Sequence, residues 1–240
     1  MSKDKVIVMQ DQAKQAQLSL ISLLITVIIP SALLILSKKH GAFSPEVILC
    51  VALAFPLSFA LYEWVIQKQV SFISVFGFLS VLLTGGIGVF RLPSEWIAIK
   101  ESLIPFCIGM GLLTMCLRGK PSMEYFLKSL LDFQRIEAIL IKKKKQTEFT
   151  QIMVRSSYLL SSSFFVSSLL NFLLASLIVK SPSGTAAFNE EIGFLTAISY
   201  PVIALPCMII LGGSVWYVVS ALKKITHLSF ADMLHSQYQS

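Results

Sequence analysis

A few ionisable and amide side chains stand inside long apolar stretches, and they are the residues whose types could do chemistry. Lys100 and Glu101 are adjacent near the start of one stretch, Asn171 lies deep in another, and Glu191 opens a third. A charge in lipid is costly and often marks a solute or ion path. The simpler alternative places the charges at the water interface, where Lys100 extends to the headgroups. For Asn171 the simpler alternative is a bridge between helices, worth about 1 kcal/mol or less.

Histidine and cysteine do not gather into a catalytic or metal-binding set. His40 lies in a predicted loop, and His227 and His235 lie in the C-terminal tail. The cysteines form no Cys-x-x-Cys pair, so they indicate neither a disulfide framework nor a metal site. Because an enzyme needs its reacting groups in one place, the sequence predicts a non-enzymatic protein with no cofactor and no metal. The four thiols, Cys50, Cys107, Cys116 and Cys207, are expected to behave as small apolar side chains.

The composition is that of a membrane protein. The chain has 240 residues, of which 55% are hydrophobic and 14% are charged, against about 25% charged residues in an ordinary soluble domain. The apolar residues gather in runs of about 20, the length that a helix needs to cross a bilayer. We therefore predict an all-α fold in which residues 1–240 form a single membrane domain. Its six predicted transmembrane helices are 18–37, 46–64, 70–90, 95–117, 156–179 and 191–222.

The distribution of Lys and Arg predicts the orientation. Fifteen of the 20 lie in the segments on the N-terminal side of the membrane, and such an excess is typical of cytoplasmic segments. Both termini are therefore expected in the cytoplasm. The apolar stretch after the N-terminal lysines is too long for a signal peptide, so it is taken as a retained anchor. The predicted cytoplasmic parts are the N-terminus 1–17, the basic segment 118–155 and the tail 223–240.

Six helices with both ends inside make three parallel hairpins, whose returning helices share a pattern. Each returning helix begins with a turn-forming cluster and an acidic residue, which is a typical N-cap arrangement. A proline follows ten residues later, and in a membrane its kink frees carbonyls that must be satisfied inside the protein. This spacing predicts a threefold repeat around a proline-kinked centre. The repeat positions are Glu46 and Pro56, Glu95 and Pro105, and Glu191 and Pro201, with Ser44, Ser94 and Asn189 as the expected caps.

The segment 118–155 carries nine basic residues and includes a contiguous lysine run. Apolar residues recur at helical spacing over 121–141, which predicts one amphipathic surface helix. Such a helix beside a membrane span is expected to lie on an anionic leaflet. Nucleic acid is excluded as a partner because the segment is tethered to the bilayer and offers no fold for base readout. The predicted headgroup-binding residues are Lys142, Lys143, Lys144 and Lys145.

The third and fourth apolar stretches carry the most distinctive sequence, SFISVFGFLSVLLTGGIGVFRLPSEWIAIKESLIPFCIGMGLL followed by RGKPSMEYFL. This text resembles the bacterial inner-membrane intracellular septation protein A superfamily, including its longer relatives labelled as major-facilitator-like. The resemblance implies a location in the bacterial inner membrane and a role in envelope maintenance or cell division. The residues that carry it are Gly85, Gly86, Gly88, Trp96, Lys100, Lys120, Pro121 and Asn171.

Two functions remain open from the sequence. The preferred one is a non-enzymatic membrane scaffold of septation protein A type, which acts through anionic lipids and through membrane-protein partners or a second copy of the chain. The alternative is a small-solute or ion transporter or channel built around the kinked centre. A polar cavity at the level of Pro56, Pro105 and Pro201 favours transport, and a solid apolar interior favours the scaffold.

The orientation is testable at the lysine run. In inside-out vesicles, a membrane-impermeant thiol reagent should label Lys142→Cys in a chain whose four native cysteines are replaced. The reason is that the excess of Lys and Arg holds 118–155 on the cytoplasmic side. Right-side-out vesicles serve as the control and should give no labelling. The reverse pattern would overturn the predicted topology.

Overall fold

The computed structural model describes residues 24–36, 43–67, 72–128 and 130–234. Within these ranges the chain is helical, and its β-type pairing consists of one isolated bridge between Leu131 and Leu234. Two π-helical segments, Leu24–Ile28 and Tyr200–Ala204, run directly into α-helices. The α-helices are α1 (Ile29–Leu36), α2 (Pro45–Gln67), α3 (Phe72–Val89), α4 (Glu95–Leu117), α5 (Ser122–Leu127), α6 (Phe133–Lys143), α7 (Gln146–Ile178), α8 (Ala186–Ser199), α9 (Leu205–Thr226) and α10 (Phe230–Met233).

Four helical runs are long and apolar enough to cross a membrane, which confirms the predicted all-α membrane class. They are Pro45–Tyr62, Glu95–Leu117, Gln146–Ile178 and Ala186–Thr226. In these runs only 11–22% of the residues are buried by the protein itself. A soluble fold would cover so much apolar surface, so lipid is the natural solvent for it. Part of the predicted first span, 18–23 and residue 37, lies outside the described residues, as does the start of the third.

The last two long helices begin earlier than predicted. Helix α7 begins at Gln146 instead of 156, because its first turns pack Ile152 and Met153 into a protein core. Helix α8 begins at Ala186 instead of 191. Its N-cap is Thr185, whose extended backbone lets the side chain accept a hydrogen bond from the Phe188 N–H at 3.1 Å.

The expected cap Asn189 is therefore wrong. Asn189 lies inside the first turns of α8, where it is fully buried and its amide donates to the Pro45 carbonyl at 2.7 Å. At the first hairpin the expected cap does contact its helix, since the Val47 N–H donates to Ser44 Oγ at 3.5 Å. Because the Asn189 amide is bonded to the Pro45 carbonyl, another side chain must cap α8. The hydroxyl of Thr185, four residues earlier, takes that role.

The third hairpin also departs from the proline repeat. Pro201 lies fifteen residues after the first residue of α8 and sits in a π-helical segment. Pro56 and Pro105 lie eleven and ten residues after the first residues of α2 and α4, inside regular α-helix. The equal spacing in the sequence counted from Glu191, which is not a helix start. The three prolines are therefore not equivalent positions of their helices.

The basic segment forms two short helices instead of one surface helix over 121–141. Helices α5 and α6 are separated at residues 128–132, where Asp132 caps α6 by accepting from the Arg135 N–H at 3.1 Å. Part of the apolar face is buried against α7 and α9, whereas Phe126 and Leu130 stay exposed. Its buried members are Met123, Leu127, Leu131, Ile136 and Leu140, packed with Phe149, Ile152, Met153, Leu160, Val218, Leu222 and Met233.

The described residues divide into two compact units, and the segment just described belongs to the second. The second unit holds Ser102–Leu170 and the described residues from Pro201 onward. Small side chains let its helices approach closely: on α7, Ser157 is fully buried, donates to the Met153 carbonyl at 2.7 Å and accepts from the Met123 N–H at 3.0 Å. Ser157 therefore allows close packing of the helices and satisfies two backbone groups.

A capping box ends the second unit. Ser229 Oγ donates to the Asp232 carboxylate at 2.5 Å, and the Asp232 N–H donates back to the hydroxyl at 3.3 Å. The Ser229 hydroxyl, helped by the Ser229 N–H and by Arg135, holds the pKa of Asp232 below its ordinary value. The stability that this cap contributes is therefore present above the ordinary pKa and is lost as the pH falls through the lowered one.

The first unit holds the described residues up to Glu101 together with Asn171–Tyr200. Its core is apolar, with Leu49, Ile97 and Phe188 fully buried. Helices α1 and α8 approach so closely at Gly193 that an added Cβ would stand 2.8 Å from the Ser31 carbonyl oxygen and 2.9 Å from Leu34 Cβ. Contact with backbone leaves the neighbour no room to move, so this position requires glycine.

Replacing Gly193 tests that contact. Gly193→Ala should force α1 and α8 apart and lower the free energy of unfolding by about 1–3 kcal/mol, measured as thermal unfolding in detergent. Gly212→Ala is the matched control, because an added Cβ at Gly212 meets nothing within 4 Å. The control should be neutral or slightly stabilising, since alanine is the better helix former. Equal losses in the two variants would contradict the close approach.

Candidate functional site

The first unit contains a cavity of about 400 Å³ whose lining mixes polar and apolar side chains. Such a volume lies at the low end of ligand pockets, which span roughly 300–1,000 Å³. The cavity is lined by the first π-helical segment, by helices α1 to α4, and by α7, α8 and Tyr200. Hydroxyl, amide and charged side chains make up its polar lining. They are Thr26, Ser31, Ser80, Thr84, Lys100, Glu101, Asn171, Thr196, Ser199 and Tyr200.

Lys100 is the buried charge of this cavity. Its side chain is only 5% exposed, so the ammonium is enclosed by protein groups instead of extending along the helix surface. Its ammonium donates to Glu101 Oε1 at 2.6 Å and to Ser80 Oγ at 3.0 Å, and its longest contact is to the Ser80 carbonyl at 3.5 Å. An ammonium has three donors and no acceptor. These three oxygens therefore account for its hydrogen-bonding capacity.

Glu101 is the more accessible partner of the pair. Its side chain is 32% exposed, compared with 5% for Lys100. The two residues are adjacent on α4 and belong to the first unit, where α3 supplies Ser80 as the fixed contact. A buried ammonium with one carboxylate beside it is compensated in charge. Glu101 is therefore the partner that can move away while Lys100 keeps its hydrogen bonds to the hydroxyl and the carbonyl of Ser80.

Several cavity hydroxyls already use their proton within the helix. Thr84 Oγ1 donates to the Ser80 carbonyl at 3.0 Å, Thr196 Oγ1 to the Ile192 carbonyl at 2.8 Å, and Ser199 Oγ to the Leu195 carbonyl at 2.6 Å. A hydroxyl has one donor and two acceptor positions. These three side chains therefore offer a bound molecule lone pairs, and they suit a ligand that carries N–H or O–H donors.

Irregular helix borders the cavity on two sides. Thr26 lies in the first π-helical segment and Tyr200 begins the second. In both places a proline is the second residue of the α-helix that follows, Pro30 in α1 and Pro206 in α9. Proline lacks the N–H that would bond the carbonyl four residues earlier, which favours the wider π turn. Such turns are frequent at functional sites.

Three of the four predicted transport candidates, Lys100, Glu101 and Asn171, line this one cavity. Glu191 does not line it. The Glu191 carboxylate accepts from the backbone N–H groups of Lys180 and Ser181 at 3.0 and 2.9 Å and from the Ser181 hydroxyl at 2.7 Å. Glu191 therefore holds the turn before α8 in place, which is a structural role.

The repeat residues scatter over different surroundings. Pro56 lines the cavity, whereas Pro105 and Pro201 are not among its lining residues. Glu46 accepts from the Arg91 guanidinium at 2.8 Å. Glu95 lines a larger cleft of about 690 Å³ between two loops of the same unit. Of the three prolines that were predicted to lie at one level, Pro56 is therefore the one found in the cavity lining.

Sequence reasoning missed the hydroxyl residues of the cavity. Ser80 and Thr84 are four residues apart on α3, and Thr196 and Ser199 are three apart on α8. Such spacing puts two hydroxyls on one helix face, and this signal is visible in the sequence. What the sequence does not show is that both faces line the cavity that holds Lys100.

The predicted headgroup-binding lysines lie on the second unit. Lys142 and Lys144 are exposed, and Lys144 ends α6 in a left-handed conformation. Lys143 donates to the Thr226 carbonyl at 2.9 Å, and Lys145 pairs with Glu148. Two of the four lysines therefore satisfy groups of the protein itself.

The four cysteines differ in how far the protein buries them. Cys116 is buried, Cys207 is partly buried, and Cys50 and Cys107 are exposed at the helix surface. In the ranges that the structure describes, no group of three or more His, Cys, Asp or Glu side chains could hold a metal ion.

Comparison with known proteins adds no relative from which a role could be transferred. No protein-family model matches the chain, no curated protein is similar to it, and no solved structure matches its fold. The arguments for a function therefore come from the residues of the cavity.

The unequal burial of the ion pair predicts unequal effects of its removal. Glu101→Gln leaves the Lys100 ammonium buried without a counter-charge and should cost about 3 kcal/mol in unfolding free energy. Lys100→Met leaves a carboxylate that is one-third exposed and should cost less. The double variant should be more stable than the sum of the two losses implies. Thermal unfolding of the three variants in detergent measures this, and strict additivity would contradict the pairing.

Proposed function

We propose that the chain is a multi-pass membrane protein that binds a small polar solute in the cavity of its first unit and transports it. One observation carries the proposal: the Lys100–Glu101 pair and several hydroxyl side chains line one cavity among apolar helices. Charged residues at such positions are costly and are retained mostly for solute or ion pathways. A scaffold needs no polar interior, because lipid and protein contacts act at its surface.

The proposed membrane arrangement has six spans as three hairpins, with both termini in the cytoplasm. Four described runs have spanning length. The shorter apolar helices are Leu24–Leu36 and Leu79–Val89, and the first of them borders residues outside the described ranges. The excess of Lys and Arg in 118–155 supports a cytoplasmic position for that segment. The proposed location is the bacterial inner membrane, where exposed Lys142 and Lys144 would meet anionic headgroups.

Movement of the solute requires that the cavity open to water on either side in turn. The two π-helical segments and Pro56 border the cavity and are the places where helices bend most easily. We propose that bending at these points changes the access to the Lys100–Glu101 pair. The pair itself stays attached to α3 through Ser80.

A scaffold of septation protein A type is the competing proposal. It fits the resemblance of the third and fourth apolar stretches, and it also fits a membrane protein with large exposed apolar faces. It does not account for a buried ammonium beside a carboxylate. Transport is therefore the function that the residues of the first unit support best.

Two neighbouring residues of α3 test whether the cavity is reachable from water. Val81 lines the cavity, whereas Leu82 is exposed on the helix surface and does not line it. In vesicles containing a chain with its four native cysteines replaced, a membrane-impermeant thiol reagent should modify Val81→Cys. Leu82→Cys should stay unmodified, because a thiol in lipid remains protonated and the thiolate is the reactive form.

The two outcomes separate the proposals. Modification of Val81→Cys alone supports a water-filled path to the cavity. Protection of both thiols from either side of the membrane would contradict transport and favour the scaffold.

A further inference from the structure

We propose that the solute is a small zwitterion of the amino-acid type, with its carboxylate on Lys100 and its ammonium on Glu101. This inference rests on the proposed function and names the class of solute that the same cavity takes. It follows from the charges, the hydrogen-bonding capacity and the mobility of the residues around the pair.

The charge balance of the cavity selects a ligand without net charge. Among the charged groups that line the cavity, Lys100 and Glu101 compensate each other. A monoanion placed on Lys100 would leave Glu101 uncompensated, and a cation placed on Glu101 would do the same to Lys100. Uncompensated charge is costly in an apolar environment. A zwitterion supplies one counter-charge to each residue.

A sugar or another neutral polar solute also leaves the charge balance unchanged, but it gains little from the pair. Insertion of a zwitterion breaks the one contact between Lys100 Nζ and Glu101 Oε1, at 2.6 Å, and forms two charge-assisted hydrogen bonds in its place. Such bonds are roughly twice as strong as neutral ones. A neutral solute that separated the pair would replace an ion pair by weaker bonds.

The hydrogen-bonding groups around the pair match a ligand ammonium. The hydroxyls of Thr196 and Ser199 already donate to the Ile192 and Leu195 carbonyls, so they can only accept hydrogen bonds from a ligand. An ammonium carries three donors, and both Glu101 and these hydroxyls line the same cavity as possible acceptors. The ligand carboxylate takes the donor of Lys100 that Glu101 releases.

The two side chains of the pair differ in exposure, and this difference indicates that Glu101 and not Lys100 moves aside for a ligand. Lys100 is bonded twice to Ser80 and is only 5% exposed, which holds its ammonium in place. Glu101 has 32% of its side chain exposed, so it can swing aside as a ligand enters. The available volume of about 400 Å³ limits the class to small molecules.

The test uses three probes of similar size on the Val81→Cys reporter. Alanine is a zwitterion, lactate replaces its ammonium by a hydroxyl, and ethylamine lacks the carboxylate. Saturating alanine should slow modification by the impermeant thiol reagent about tenfold, as expected when ligand exceeds its Kd by that factor. Lactate and ethylamine at the same concentration should slow it less than about twofold. A mixture of neutral amino acids covers a preference for a larger side chain.

Variants of Glu101 in the same reporter test the charge argument directly. Glu101→Gln leaves the site with one positive charge, so protection by alanine should fall and protection by lactate should appear. Glu101→Asp keeps the charge and is the matched control, with alanine protection retained. A shift of selectivity from zwitterion to anion is a readout that a merely destabilised protein does not produce.

The outcomes are distinguishable. An unmodified Val81→Cys contradicts the proposed function itself. A modified thiol that neither alanine nor the amino-acid mixture protects, or one that all probes protect alike, overturns the zwitterion while leaving a water-reachable cavity. Protection of the unaltered pair by lactate that strengthens as the pH falls also overturns it, because that result identifies a monoanion bound together with a proton.

Discussion

The structure depends on one constraint: a polar group inside an apolar bundle must find its partner within the protein. Ser157 on α7 and the buried charge on α4 obey it, whereas the buried hydroxyls of Ser31 and Ser161 have no hydrogen-bond partner among the described residues. Ser157 bonds two backbone groups, and Asn189 donates to the Pro45 carbonyl from a fully buried position. Lys100 obeys it with a carboxylate and a serine, and that solution creates a site.

The two units use the constraint differently. In the second unit apolar residues of the basic segment pack against α7 and α9, so serines and a capping box serve stability alone. In the first unit an apolar core lies among the same helices as the cavity that holds Lys100 and Glu101. A core filled to ordinary packing density has no room for a solute. We therefore expect the ligand in the cavity beside the charged pair and not in the core.

A pair of opposite charges also lowers the free-energy cost of keeping charged groups in the site. The pair is neutral as a whole, so the resting protein pays only for taking two charges out of water. A solute of matching charge pattern restores that neutrality after entering. This links the selectivity of the cavity to the same requirement that stabilises the helix bundle.

The sequence by itself determined the membrane class, the bounds of α4 and the candidates Lys100, Glu101 and Asn171, because long apolar runs and rare charges within them are local features. Only the tertiary structure decided that these three residues meet at one cavity, that Glu191 holds a turn instead, and that the basic segment covers a protein core. The start of α7 at Gln146 goes with the packing of Ile152 and Met153 into a core that includes distant segments of the chain. The start of α8 places Pro201 farther from its helix start than Pro56 and Pro105 are from theirs. A spacing in the sequence fixes positions along one helix, whereas the neighbours of a side chain are set by how the helices pack.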